Sequence, residues 1–567
     1  MTDARHRVIA IDALGPTRKP RSQAKGRQPT EAALAEVRSL LGAAPRALDL
    51  LIEHLHRIND AHGHLPDTLL VALAHEMGLS LAEVYEAASF YHHFDIVKDG
   101  AAAPAALTVR VCNSLSCAMA GSAALTAELT QALASRADVR VVEAPYIGRC
   151  DSAPAAVVAQ HCVDRADAAS VLQAIATGRT AAAVPTYTAL DAYVAGGGYR
   201  LLDALASGAR SADSVIAALS DAGLRGLGGA GFPAGRKWSI VRQYAAPRLI
   251  AVNIDEGEPG TFKDRYFLER DPHRFIEGAL IAAHCIGASA IYLYLRDEYA
   301  AGRAILEREL AALRAARGDL PAIHLRRGAG AYICGEESAL IESLEGRRGW
   351  PRLRPPYVAE VGLFGRPTLE TNLETLHWVR DIVEQGPASF KQHGRHGRHG
   401  LRSYSLSGRV NRPGVHVAPA GISLRELVDE YGGGMQAGHT LYGYFPGGAS
   451  GGMLPASLAD LPLDFDTLQP YGAFIGSAAV VVFSQADSAR ALALNAMRFF
   501  EHESCGQCTP CREGTQRAVE LMTQPRWNLP LLEELSAVMM DASICGLGQA
   551  APNPLLCAVK YFAQEFA

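Results

Sequence analysis

Three cysteines, Cys505, Cys508 and Cys511, fall within seven residues, and a fourth, Cys545, follows in the stretch Ser543-Ile-Cys-Gly-Leu-Gly548. Whatever this end of the chain folds into has to carry four thiolates to one point. Three close thiolates plus one remote can each hold a corner of a cubane [4Fe–4S] cluster. A structural zinc ion more often takes its ligands as two separated pairs. The spacing points first to iron–sulfur, with zinc and buried free thiols as the alternatives. A cluster moves electrons one at a time, so the rest of the chain should hold something that feeds it.

At 567 residues the chain is too long for one core, and three to five domains are expected. Its 49% hydrophobic and 20% charged residues are ordinary for a globular protein, and a net charge of −5 gives no general pull toward nucleic acid or anionic membrane. No stretch reaches the ~18 uninterrupted apolar residues that cross a bilayer. The opening Met1-Thr-Asp-Ala-Arg-His-Arg7 lacks the apolar core of a secretory signal. Eleven cysteines, odd in number and clustered, suit a reducing compartment better than a disulfide framework. The expected location is the cytoplasm.

Residues 1–28 read as a basic arm, with Arg18, Lys19, Arg21, Lys25 and Arg27 among Pro, Gly, Ser and Gln. It is either a solvated tail or a strap across an acidic partner. Residues 29–105 are helical: Leu48, Leu51, Ile52, Leu55 and Ile58 recur at helix spacing, Gly63 ends that segment, and Ser80-Leu-Ala-Glu83 is a capping box. The histidines here, His54, His56, His62, His64, His92 and His93, lack acids or cysteines at ligand spacing and read as ordinary core or surface residues. Residues 106–182 alternate strand (107–111), helix (123–133) and strand (139–142), a small α/β domain. Residues 186–400 form the largest α/β block, with buried strands at 249–252 and 291–295 and helices at 275–286 and 301–315. Short strands and turns over 401–485 indicate a compact β-rich module. Residues 486–567 return to helix and carry the four cysteines.

Gly226-Leu-Gly-Gly-Ala-Gly231 contains a G-x-G-x-x-G, but a helical pattern over 214–220 precedes it where the dinucleotide fingerprint needs a strand, so an ordinary Rossmann site is rejected. Four glycines in six residues still let a backbone approach a flat or phosphorylated ligand, and Lys237 beyond can meet a phosphate. Asn253-Ile-Asp-Glu-Gly-Glu-Pro-Gly-Thr261 follows a buried strand, where α/β proteins bind ligands. In Gly328 to Ser338 glycines run straight into a helix, which should offer free N–H groups to a phosphate; Cys334 there reads as a packing residue.

Together with Gly365-Arg-Pro-Thr-Leu-Glu-Thr-Asn372-Leu-Glu-Thr375 and the C-terminal cysteines, these segments resemble, over about 190–567, the flavoprotein subunit that oxidises NADH in respiratory complex I. The resemblance implies FMN, NAD(H) and one [4Fe–4S] cluster on Cys505, Cys508, Cys511 and Cys545. It also implies a ubiquitin-like module between the flavin domain and the cluster helices. It implies FMN contacts at Gly226, Gly228, Lys237, Asn253, Asp255, Glu256, Gly335, Glu336, Glu337, Asn372 and Thr375. NAD contacts are implied at Gly229, Ala230, Phe232, Glu258 and Tyr357. Thr371 stands where the family usually has Asn, Ile240 where an aromatic often flanks the nucleotide, and Tyr357 replaces the usual Phe but keeps a ring.

The N-terminal half resembles the family's thioredoxin-like [2Fe–2S] partner subunit, here fused. Cys112 and Cys117 give its first cysteine pair, and Cys150 the last ligand, but Tyr146 occupies the third position. Four thiolates are the usual requirement, so a stable [2Fe–2S] cluster is not expected, and a docking module that has lost its cluster is the alternative role for this domain. The implied activity is a diaphorase: hydride passes between NAD(H) and FMN, and single electrons between FMN and the cluster, with no general acid or base. The fusion, with residues 446–466 and 474–482, resembles the β subunit of soluble NAD-dependent formate dehydrogenases. That implies a catalytic α subunit carrying molybdenum or tungsten and further iron–sulfur clusters. The diaphorase subunit of a NAD-reducing hydrogenase, or the complex I subunit itself, is the alternative.

Overall fold

The computed structural model describes residues 26–318 and 320–566. Most of the expected basic arm, residues 1–25, lies outside the described residues. Arg27 is described, and its guanidinium bonds Asp67 at 2.8 Å and also Asp99, so this end of the arm is tied to its own chain.

The N-terminal helices start and stop where local chemistry dictates. Leu51–His62 ends on Gly63, whose φ of 72° is the left-handed conformation that favours glycine. Leu81–Phe90 opens on the Ser80–Glu83 capping box. The thioredoxin-like domain follows, with strands β1 (Leu107–Cys112), β2 (Val139–Ala144), β3 (Ala156–Val158) and β4 (His161–Val163) in the order β2-β1-β3-β4. Helices Ser122–Ala132 and Ala168–Ala176 close its core around Val109, Val111, Leu129 and Val171.

The flavin-type domain is built on a parallel sheet of β5 (Arg248–Ile254), β6 (Ala288–Leu295), β7 (Ala322–Arg327) and β8 (Thr368–Asn372), ordered β8-β5-β6-β7. Its central strands are apolar along their length because both faces are covered. Alternate residues enter different cores. Ile250, Val252, Ile291 and Leu293 pack with helices Ala212–Ala222, Pro272–Ile286 and Ala300–Ala316. Leu249, Ala251, Ala290 and Tyr292 join the other core, which contains Leu34, Leu55 and Tyr91 of the N-terminal segment and Leu340 of helix Glu337–Leu344. The N-terminal segment thus roofs the second face of the sheet. Polar ties fix it there: His56 Nε2 donates to Gly328 O at 2.8 Å, and the Tyr91 hydroxyl reaches Ser343 Oγ at 2.8 Å.

The β-rich module holds β9 (Leu401–Gly408), β10 (Gly414–Pro419), β11 (Leu441–Phe445), β12 (Leu454–Pro455) and β13 (Ala479–Ser484), ordered β10-β9-β13-β11-β12, with β9 and β13 parallel. Ser488 caps the first helix of the C-terminal bundle, Ala489–Glu503, which buries Leu492, Ala493, Ala496, Met497 and Phe500 at helix spacing. It packs against Thr509–Met522 and Asn553–Tyr561.

Candidate functional site

The carboxyl ends of β5 and β8 open into one cleft, the place α/β sheets offer to ligands. Its larger lobe, about 550 Å³, holds Asp255, Glu256, Glu258, Lys263 and Tyr332. The module adds Ser450 and Phe474, and the C-terminal bundle adds Gly546 and Asn553. A second lobe of about 320 Å³ shares Gly228, Gly229, Ala230, Asn253, Gly335, Glu336, Asn372 and Gly546, and adds Gly226, Phe232, Lys237, Glu337 and Thr375. Fifteen of the sixteen residues singled out for flavin and nucleotide therefore meet in this cleft. Tyr357, 58% exposed, lines neither lobe.

The glycine loop follows helix Ala212–Ala222, as the rejection of an ordinary Rossmann site required. Gly229 has φ of 140° and open space where a side chain would stand, so the loop presents bare backbone to the cleft. Leu227 N–H donates to Thr375 Oγ1 at 2.9 Å and holds the loop against the end of β8.

The helix beginning at Glu337 departs from expectation. Its first N–H groups are not free: the Glu336 carboxylate accepts from Ser338 N at 3.0 Å and Ala339 N at 2.9 Å. A side-chain anion already holds the place where a phosphate was expected, and Arg354 pairs with it. Lys237 is engaged as well, 3.0 Å from Glu370 and 3.5 Å from Glu337.

Several cleft residues carried no signal of their own. Lys263, only 1% exposed, pairs with Asp264 at 2.8 Å and Glu374 at 3.2 Å. Lys263, Glu370 and Glu374 all lie near segments with a ligand-binding pattern, but only the fold pairs Lys263 with Glu374 and Glu370 with Lys237. Glu258 is fixed by the Tyr332 hydroxyl and by Ser450 N–H at 2.7 Å, and burial raises its pKa. Burial likewise holds Asp255 well above the usual carboxylate range, and its Oδ2 has no hydrogen-bond partner among the described residues. Cys334 is fully buried, its thiol pushed up to about 12 by burial, in keeping with a packing role.

Cys505, Cys508, Cys511 and Cys545 converge beside the cleft. Cys511 opens onto Ser504 Oγ at 3.3 Å, Cys545 feels the charges of Cys505 and Cys511, and Gly546, its neighbour in sequence, lines both lobes. Among the described residues, no three of these sulfurs lie within 4.8 Å of one another. All four thiols are linked through one another's charge, Cys505 with Cys508, Cys511 with both, and Cys545 with Cys505 and Cys511, as residues that share one metal centre must be. Cys557 stands apart, its thiol against Gly472 O at 3.4 Å.

In the thioredoxin-like domain Cys112, Cys117 and Cys150 are buried together, with a hydrogen bond between the first two thiols. Tyr146 is buried but otherwise engaged. Its hydroxyl donates to Thr261 O, and Arg296 lies over its ring, 5.1 Å from the centroid, while donating to Tyr146 O at 3.0 Å. Cys162 sits on β4 opposite Val157, with Arg149 and Asp164 among its charged neighbours.

Known proteins share this arrangement. Residues 37–179 match the family described as thioredoxin-like [2Fe-2S] ferredoxin, 219–381 the Nuo51 FMN-binding domain, and 491–567 the NADH-ubiquinone oxidoreductase-F iron-sulfur binding region. The second F-type subunit of NADH-quinone oxidoreductase in Rhizobium meliloti (strain 1021) is 43% identical over 399 residues, 68% of this chain and 94% of the relative. Its counterpart in Aquifex aeolicus (strain VF5) is 38% identical over 67% of this chain and 91% of the relative. A solved NAD+-reducing [NiFe]-hydrogenase, in the H2-reduced state, superposes with a TM-score of 0.81 at 34% identity, covering 92% of this chain and 93% of that one.

Proposed function

This chain belongs to the family of F-type subunits of NADH-quinone oxidoreductase, and from that premise we propose that it is the diaphorase subunit of a cytoplasmic NAD-dependent formate dehydrogenase. The observation that carries the diaphorase reading is the shared cleft. The residues expected to meet nucleotide and flavin border one space, and Gly546, next in sequence to Cys545, stands on its wall. FMN bound there would supply the exchange of two electrons with NAD(H) and of single electrons with the cluster. The chain's own part is to bind and orient. The Gly226–Gly229 backbone, Asn253, Asn372 and Thr375 would hold the flavin, while Glu258, Ala230 and Phe232 would face the nucleotide. Cys505, Cys508, Cys511 and Cys545 would hold the [4Fe–4S] cluster. The thioredoxin-like domain, with Tyr146 committed to Thr261 and Arg296, would hold no stable [2Fe–2S] cluster and would serve as a structural cap.

The formate reading rests on residues 446–466 and 474–482, which resemble the β subunit of that enzyme class. Its catalytic partner would carry molybdenum or tungsten and further iron–sulfur clusters. A NAD-reducing hydrogenase is the second reading, favoured by the full-length likeness to the hydrogenase structure, N-terminal fusion included. Purified chain should be yellow and should reduce ferricyanide with NADH alone; a colourless protein that takes up no added FMN would overturn the diaphorase reading. Metal analysis of the complete complex separates the rest: molybdenum or tungsten supports formate oxidation, and nickel supports the hydrogenase.

A further inference from the structure

His92 follows the end of helix Leu81–Phe90, and His502 and Glu503 are the last residues of helix Ala489–Glu503. More than four hundred residues apart in sequence, they meet at the mouth of a polar chamber of about 240 Å³. One nitrogen of each imidazole and one Glu503 carboxylate oxygen lie within 4.8 Å of one another. The two rings are stacked, centroids 4.2 Å apart and planes 29° from parallel. Among the described residues, no other group of three His, Cys, Asp or Glu side chains is gathered as tightly.

We infer that His92, His502 and Glu503 form a binding site for one zinc(II) ion, which staples the N-terminal helices to the cluster-bearing bundle. Two imidazoles and a carboxylate are the donor set of a three-ligand zinc site with its fourth position open to water, and the chamber supplies that opening. Calcium and magnesium call for oxygen donors throughout and are disfavoured by the imidazoles. The ligands are held from behind. Glu503, 7% exposed, accepts Tyr332 N–H at 2.9 Å, and its other oxygen faces His502 Nδ1 at 3.2 Å. The His92 backbone N–H donates to Gly330 O at 3.2 Å, which fixes the backbone that carries the ring. Such outer bonds orient metal ligands. Of the arginines that line the chamber, Arg296 is paired with Glu298 at 2.8 Å and Arg140 with Asp95. The donors are distinct from the four cysteines, so zinc here does not compete with iron.

Full-length holoprotein with its iron and flavin loaded should be treated with EDTA, re-equilibrated with zinc chloride, and analysed for zinc, iron and flavin together. Wild type should retain one zinc per chain, and His92→Ala and His502→Ala should each lose it while iron and flavin stay unchanged. Added zinc should raise the thermal midpoint of wild type and not that of His92→Ala, since a ligand that binds only the folded state stabilises it. Equal zinc in wild type and both variants, or no zinc retained by wild type, would overturn the inference.

Discussion

Glu258 shows how much a single side chain settles in the cleft. It is buried, bonded to Tyr332 and to the backbone of Ser450, and so ties the flavin-type domain to the β-rich module at one carboxylate. Glu258→Gln keeps the shape but removes the charge. The apparent KM for NADH should rise severalfold while FMN content stays normal; loss of FMN would show that the residue serves the flavin instead. Glu256 makes a different test. Burial raises its pKa to about 7, although Asp264 N–H, Arg265 N–H and the Tyr299 hydroxyl all bond it. The folded state therefore keeps a proton that the unfolded chain gives up near its ordinary value of 4.5. The stability this group contributes is complete below that value and is lost as pH rises toward 7, then stays level. Denaturant midpoints across that window should fall in wild type and fall less in Glu256→Gln.

Elements carry the cofactor questions. Cys545 is the N-cap of the short helix Gly546–Ala550 and the one proposed cluster ligand outside residues 505–511. Cys545→Ser should abolish the [4Fe–4S] EPR signal and spare NADH–ferricyanide activity, which bypasses the cluster. Cys557 is turned toward Gly472 and should not rescue the signal. In the thioredoxin-like domain, iron analysis and low-temperature EPR of the full chain should find no [2Fe–2S] centre in wild type. Tyr146→Cys should create or strengthen one, since it completes the thiolate set; a [2Fe–2S] signal in wild type would refute the assignment. Much at this scale is legible in the sequence. The apolar run at 249–252 predicts a strand, which spans Arg248–Ile254, and the capping box at Ser80 is formed as its residues predict. Pairing at a distance is not legible. His92 carries no ligand signal because its partners come from the far end of the chain, and Glu336 gives no sign that it caps its own helix.

For the whole molecule, the decisive feature is that the parallel sheet borrows half its cover. Residues 29–105 read from sequence as a helical segment, and the apolar faces of its helices close on Leu249, Tyr292 and Leu340. Removing residues 1–105 should therefore expose the second face of the sheet, and the truncated protein should be insoluble or bind a hydrophobic dye strongly. A soluble, FMN-loaded truncation product would show that the sheet can dispense with this roof.

The same borrowed cover has a consequence during synthesis. Chains leave the ribosome N-terminus first, at roughly 5–20 residues per second. The helices of 31–90 emerge well before β5 to β8, the strands on which they close. For on the order of ten seconds or more at that pace, nascent helices wait with their apolar stripes bare. This polypeptide is thus a natural client for chaperones that shield such stripes, and slowing translation after residue 90 should raise its aggregated fraction rather than help it fold.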